Sequence, residues 1–439
     1  MLKRKKSLFQ IAAVIAALAP LTVAGQAATP STAAFQKPAW LTDLSVGVKE
    51  SYDDNIYLCG YGTMRDHSSW LTTVTPKIGF NFAPLTGTNF FQTLAFNYAP
   101  EVNAYHNAPS ENFTAHRLGG TIKGKVDAFS FALDNGFTFV DGSETGPAYP
   151  DGRSCYATAA PRERREQIQD KAKITLQYDA DKWFVRPTAA LLYYDLMTAL
   201  KDPSLPTTPK GYDNYADRYD VNGGVDFGYK FNPHLAATIG YRYGHQYQQQ
   251  FSFDTSHLSS SSDYQRVLAG IEGNPWKWLT VALQAGPDFR NYGPNAPVND
   301  PHLVTYYGEA TLAAKASARD TFTFKYKQWQ WVSSTGKVPY FDSSYDLAYN
   351  RKCTEKLSVD LGGRIATADY TSGNVAISQR DDWQYIVSAG VSYAFTSNFS
   401  ATASYAIDLG RNDQDGLTVN PATREYDRQL VSLGFQYKF

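Results

Sequence analysis

The sequence predicts an all-β protein: a transmembrane, antiparallel, up-and-down β-barrel of about eighteen strands. Three observations carry that prediction. Long runs of residues alternate between apolar and polar at period two, as strands with two unlike faces do. Very short turns alternate along the chain with much longer polar connections. The chain also finishes inside an alternation, "LVSLGFQYKF", with Val431, Leu433, Phe435, Tyr437 and Phe439 against Ser432, Gly434, Gln436 and Lys438.

The first element in chain order is not a strand. "MLKRKK" sets Lys3, Arg4, Lys5 and Lys6 ahead of an apolar stretch from about Ile11 to Val23, and "AGQAA" offers small residues for cleavage. That pattern is a bacterial secretory signal peptide. It assigns residues 1–27 to the signal, 28–42 to a short periplasmic segment and 43–439 to the barrel. The expected destination is the outer membrane, reached by export through the periplasm. Composition agrees. The 439 residues include 31 Tyr, 25 Phe and 8 Trp, with 19% charged side chains and a net charge of −1. Mean hydropathy is −0.40, and no apolar run after the N-terminus is long enough for a transmembrane helix. The balance of charge carries no nucleic-acid signature.

The strands follow. "HLAATIGYRYG" sets Leu235, Ala237, Ile239, Tyr241 and Tyr243 against Thr238, Gly240 and Arg242. "LSVDLGGRIAT" sets Leu357, Val359, Leu361 and Ile365 against Ser358, Asp360, Gly362 and Arg364. "DWQYIVSAGVSYAF" sets Trp383, Tyr385, Val387, Ala389, Val391, Tyr393 and Phe395 against Gln384, Ser388, Gly390 and Ser392. Short turns are expected near Pro84–Thr88, Val126–Phe129, Asp179–Lys182, Phe231–His234, Asn274–Lys277, Ser317–Asp320, Cys353–Lys356 and Phe395–Asn398. Several carry the Asn, Asp, Gly or Pro that tight turns need. Between the pairs lie long polar stretches such as "DGSETGPAYPDGRSCYATAAPRE". In an outer-membrane barrel the short turns are periplasmic and the long loops external.

Closure follows from solvation. Lipid offers no partner to a backbone edge, so a sheet in the membrane must close on itself. A soluble sandwich or propeller would have strands of roughly 5–6 residues, whereas these runs extend over about 10–14 and their apolar faces end in Tyr, Trp and Phe, as interfacial girdles do.

Just after the signal stands "LSVGVKESYDDNIYL", residues 44–58. This opening strand and its "Y-D-D-N-I" resemble the putative β-barrel porin 2 family of bacterial outer-membrane proteins. The resemblance implies a barrel more firmly than a substrate; some members look linked to exopolysaccharide export. The closing Phe435, Tyr437 and Phe439 resemble the signal read by the barrel assembly machinery. Asp53, Asp54 and Asn55 offer oxygen ligands for Ca²⁺, but Asp and Asn also favour strand-end turns, and the turn is the expectation. "RNDQDG" at 411–416 is a poor EF-hand match, with Arg411 at the first ligand position. No metal or cofactor is expected.

A barrel of this size encloses water. Alternation places a basic set inward: Lys123, Lys125, Lys171, Lys173, Arg186, Arg242, Lys325, Arg364 and Arg428, with Lys49, Lys77, Arg117, Lys230, Arg266, Arg290, Lys315 and Lys327. Fewer acids share that face: Glu101, Asp134, Asp220, Asp226, Glu272, Asp288, Glu309, Asp346, Asp360 and Asp408. Inward Lys and Arg favour anions; pairing with the acids would cancel the effect. The third long loop, about Asp141–Pro161, runs into "PRERREQ". If it folds inward, Arg153, Arg162, Arg164 and Arg165 form a basic constriction; if not, they face lipopolysaccharide phosphates. Tyr194, Trp329 and Trp331 could stack on sugar rings, though strand-end girdles are the plainer assignment. Cys59 and Cys155 fall in long loops one and three, where a disulfide is allowed. Cys353 falls at a short turn and is expected to be free.

The seven His are scattered, and no "GxSxG", "HExxH" or "GxxxxGK[ST]" occurs. An enzyme is therefore not expected. Only a dozen or so residues separate the signal from the first strand, which leaves no plug domain. The expected function is a channel for passive diffusion of small hydrophilic solutes, mildly preferring anions. The alternative is a pore for polysaccharide export with separate periplasmic partners. Oligomeric state is open.

Overall fold

The computed structural model describes residues 37–60, 67–142, 166–197, 215–250, 257–333, 338–370, 380–414 and 425–439. These residues form one antiparallel sheet. Its strands are β1 (Leu41–Asp53), β2 (Ser69–Asn81), β3 (Phe91–Tyr98), β4 (Glu101–Tyr105), β5 (Phe113–Val126), β6 (Phe129–Asp141) and β7 (Gln167–Ala180). They continue as β8 (Trp183–Asp195), β9 (Arg218–Asn232), β10 (Leu235–Gln248), β11 (Ser262–Trp276), β12 (Leu279–Tyr292) and β13 (Val304–Lys315). The last six are β14 (Asp320–Trp331), β15 (Tyr340–Lys352), β16 (Leu357–Tyr370), β17 (Arg380–Ala394), β18 (Phe399–Gln414) and β19 (Tyr426–Lys438).

β3 and β4 are two halves of one strand. Ile78 faces Tyr98 and Val74 faces Val102, so a single register runs through both. The break falls at Pro100, which has no N–H to donate. The wall therefore has eighteen strands. β1 pairs with both β2 and β19, which closes it. This is the fold class the alternation predicts.

Every expected short turn falls at one end of the barrel. The tightest use Asp in the left-handed region, Asp127 at φ 48° and Asp181 at φ 53°, where Asp is tolerated better than most residues. The opposite end carries the long connections. On the exterior the alternating apolar residues face outward: Val387 is 62% exposed, Ile239 59% and Phe227 52%. At the short-turn end the exterior is ringed by aromatics in contact, including Trp183 tilted against Tyr229 at 4.7 Å, Trp276 stacked on Trp278 at 5.6 Å and Phe322 stacked on Tyr349 at 4.6 Å. Phe399 stacks on Phe435 at 6.1 Å and Tyr437 meets Phe439 at 5.0 Å, so the chain's last residues complete that ring. Such a sheet is inside out: its apolar face is its outer one, which suits a bilayer.

The "YDDN" segment is more than a turn. Arg428 donates from Nε and Nη2 to the two carboxylate oxygens of Asp53 at 3.0 and 2.6 Å. Asp54 accepts from the Gln429 N–H at 2.6 Å. Asn55 donates to the carbonyls of Cys59 and Asp427 and accepts from the Cys59 N–H. These three residues thus clasp the first strand to the last at the long-loop end.

Candidate functional site: the barrel interior

Eighteen strands about 4.8 Å apart and tilted by roughly 40° give a wall about 110 Å around, far too wide for side chains to fill if it were round. What occupies the interior therefore decides function. The register places every basic and acidic residue of the two inward sets on the interior face. It adds the cations Arg218, Lys352 and Lys438 and the carboxylates Asp43, Asp53, Asp179, Asp342 and Asp382. The positive lean is thus smaller than the sequence reading gives.

The interior arginines do not project as free charges. Arg186 grips Glu272 with two bonds of 2.8 Å and reaches Asp226 at 3.2 Å. Arg242 binds Asp226 at 2.8 Å. Arg266 and Arg290 share one oxygen of Asp288 at 2.9 and 3.0 Å. Arg364 pairs with Asp346 at 3.7 Å and Arg117 with Glu101 at 3.1 Å. Lys123, Lys125, Lys171, Lys173 and Lys325 make no ion pair among the described residues. Arginine with its fixed fork suits buried pairing, and lysine remains the hydrated point charge.

Part of the wall folds into the lumen. The β13–β14 ladder stops at Gly308 and Gln328. Beyond it, Val304–Tyr307 stay on β12, while Trp329–Trp331 stay on β15. The segment Gln330–Ser333, at the end of β14, leaves the wall and crosses inward as the described tip of this hairpin. Its backbone carbonyls lose their ladder partners and find side-chain donors instead, as buried carbonyls must. Gln330 O accepts from Gln246 at 3.0 Å and from Arg290 at 3.1 Å. Val332 O accepts from Arg218 at 2.6 Å and Ser333 O from Gln248 at 2.8 Å. These donors sit on β9, β10 and β12. From β10 to β14 the wall runs about 25 Å, so only an inward lean allows direct contact.

Aromatic packing holds the tip. Arg218 lies 5.1 Å from both the Tyr194 and the Trp331 ring centres, sandwiched between them. Trp329 stacks on Trp331 at 4.5 Å, donates to Asp342 at 3.0 Å and receives the Lys327 ammonium 4.0 Å above its ring. Tyr307, Tyr340 and Tyr370 complete a buried interior cluster with Leu268, Val332 and Val338. This corrects the girdle assignment for Tyr194, Trp329 and Trp331. All three point inward, two of them almost fully buried, and their faces are spent on Arg218 and on each other.

Among the described residues the narrowing is thus made by Gln330–Ser333, where β14 runs into the seventh long connection, with Arg218, Gln246, Gln248 and Arg290 as its seat. Arg153, Arg162, Arg164 and Arg165 of the third lie outside the described residues. Cys59 is fully buried and disulfide-bonded; Cys353 is a free thiol; Cys155 lies outside the described residues.

No protein-family model matches the chain, and no curated protein matches its sequence. Among solved structures it is similar to the outer membrane protein OpdK of Pseudomonas aeruginosa, at 11% identity and a TM-score of 0.40 over 90% of this chain and 99% of that one. It is similar to OccAB4 of Acinetobacter baumannii at 10% identity and a TM-score of 0.40, covering 90% and 98%. It is also similar to the siderophore receptor PirA of the same organism at 8% identity and a TM-score of 0.40, covering 91% and 81%.

Proposed function

We propose that this protein is a channel of the bacterial outer membrane through which small hydrophilic solutes diffuse passively, with a mild preference for anions. The observation that carries the reading is the inversion of faces. A closed eighteen-strand wall turns Val387, Ile239 and Phe227 outward and a dense set of charged and amide side chains inward. Such a wall is stable only with hydrocarbon outside, and its polar interior suits water.

The anion preference rests on lysines rather than arginines. The paired guanidiniums sit against carboxylates, with Arg266 and Arg290 sharing Asp288, so most of their field cancels within a few ångströms. Lys123, Lys125, Lys171, Lys173 and Lys325 lack such partners among the described residues and supply the net field. In this reading the exterior faces lipid and, at the long-loop end, lipopolysaccharide, and Phe435, Tyr437 and Phe439 present the assembly signal.

Purified protein in planar bilayers under a KCl gradient tests this. Stepwise channels with a reversal potential on the chloride side are expected. Replacing Lys123, Lys125, Lys171 and Lys173 together by Glu should move that potential toward the potassium side. Absence of channels, or cation preference in the unaltered protein, would overturn the proposal.

A further inference from the structure

On the other side of the barrel from the hairpin seat in strand order, the interior of β18, β19, β1, β2, β4 and β5 lines a half-open cavity of about 390 Å³. Its lining has an unusual mixture. Toward the long-loop end it is roofed by Leu71, Tyr105 and Phe113, which pack into a small apolar cluster with Ile56 and Ala108. Its walls are polar but almost neutral. Arg117 faces the cavity already paired with Glu101 at 3.1 Å, and Arg428 already paired with Asp53 at 2.6 Å. Asn103, bonded to Thr73 at 2.9 Å, and Gln436 add amides, and Thr75 and Ser400 add hydroxyls.

Each ligand class is weighed by these groups. An anion finds the two guanidiniums compensated and only Lys49 uncommitted, so it gains little. An apolar solute fits the roof but strips water from the walls at a cost. A polyhydroxylated ring fits both. Its hydroxyls both donate and accept, as carboxylate–guanidinium pairs and amides require. Its axial C–H face suits an aromatic roof, and the volume lies at the small-ligand end of binding cavities, roughly 300–1,000 Å³.

We infer that this cavity is a saccharide site, taking a sugar of one or two rings on its way through the lumen. The inference deepens the channel reading and rests on it for the word "through", but binding itself does not require conduction. Two measurements separate them. In planar bilayers, sucrose or maltose should reduce the ionic current saturably, while polyethylene glycol of similar mass should reduce it only in proportion to concentration. By titration calorimetry of the detergent-solubilised barrel, the same sugars should release or absorb saturable heat.

Arg117→Gln and Glu101→Gln, both in a partly exposed pair, should weaken sugar binding by about tenfold or more and leave single-channel conductance within a factor of about two. Asn103→Asp offers a second variant that keeps the shape. Binding by calorimetry without channels would remove the channel reading and keep the site. Channels without saturable sugar effects, or sugar binding unchanged in all three variants, would remove the site.

Discussion

Asp53 and Arg428 stand 375 residues apart in the chain and meet in a two-bond fork across the line where the barrel closes. Asp53 is completely buried, so the pair is among the few charged contacts whose loss leaves a charge without water. The neighbouring Asp54 and Asn55 bind the backbone of the last strand at Gln429 and Asp427. One short sequence segment thus ties together the first and last strands of the sheet.

This gives the first prediction. Arg428→Met strands the buried Asp53 carboxylate and should destabilise the barrel by roughly 3–5 kcal/mol, whereas Asp53→Asn leaves Arg428 partly exposed and 4.0 Å from Asp408 and should cost less. The double variant should lose less than the sum, because neither charge is then left alone. Urea midpoints of the folded band on unheated gels, measured for all four proteins, check this. Strict additivity would mean that the fork contributes nothing specific to closure.

A second prediction concerns the thiols. Cys59 is bonded and Cys353 is free, and the sequence holds three cysteines. Peptide mapping without reductant should recover a Cys59–Cys155 crosslink, and a maleimide should label Cys353 alone. Since Asn55 holds both the N–H and the C=O of Cys59, Asn55→Ala should make the crosslink easier to reduce. A crosslink through Cys353, or equal reduction rates with and without Asn55, would contradict this.

Glycines give a third. A Cβ on Gly286 would lie 1.8 Å from the Val267 carbonyl oxygen, beside Pro287 and a gap in the β11–β12 ladder. A Cβ on Gly136 would meet nothing within 4 Å. Gly286→Ala should therefore cost about 1–3 kcal/mol through forced backbone movement, and Gly136→Ala almost nothing. The same gel assay distinguishes them, and similar midpoints for both would contradict the close approach.

Much of this architecture was legible in the chain. Alternation fixes which side chains share a face, because a strand repeats every two residues, and the eight short turns fix the hairpins. Three-dimensional pairing was less accessible. That Arg186 on β8 spends itself on Glu272 of β11, or Arg428 of the last strand on Asp53 of the first, depends on which strands the closed barrel brings together, and no local pattern records that. Arg218, at the edge of β9, shares parity with Asp220, so its inward direction has a sequence signal even though its role against the hairpin tip does not. Trp329 and Trp331 share parity with Lys325 and Lys327, so a signal for their inward direction existed. It was outweighed because aromatics at strand ends look alike from sequence whether they meet lipid or line the inside. The inward lean of their hairpin had no sequence signal, since it consists of bonds between backbone carbonyls and side chains several strands away.

That lean supports the last prediction. The tip is held by Arg218, Gln246, Gln248 and Arg290 acting on three carbonyls, and it has already given up its ladder to β13. Its attachment on that side is therefore made of side chains, and side chains can be removed one at a time without opening the wall. Arg218→Gln should loosen it most. It deletes the short bond to Val332 and empties the space between Tyr194 and Trp331, where a desolvated cation over two rings contributes on the order of 2 kcal/mol or more. Gln248→Ala removes one neutral bond to the tip, worth about 1 kcal/mol, together with two that Gln248 accepts from Ser260, and should act in the same direction more weakly. Because the tip occupies lumen, loosening it should raise single-channel conductance or add rapid flicker between two current levels, in the order Arg218→Gln above Gln248→Ala. A conductance unchanged in both, with folded barrels on the gel, would mean that the tip does not stand in the path of ions.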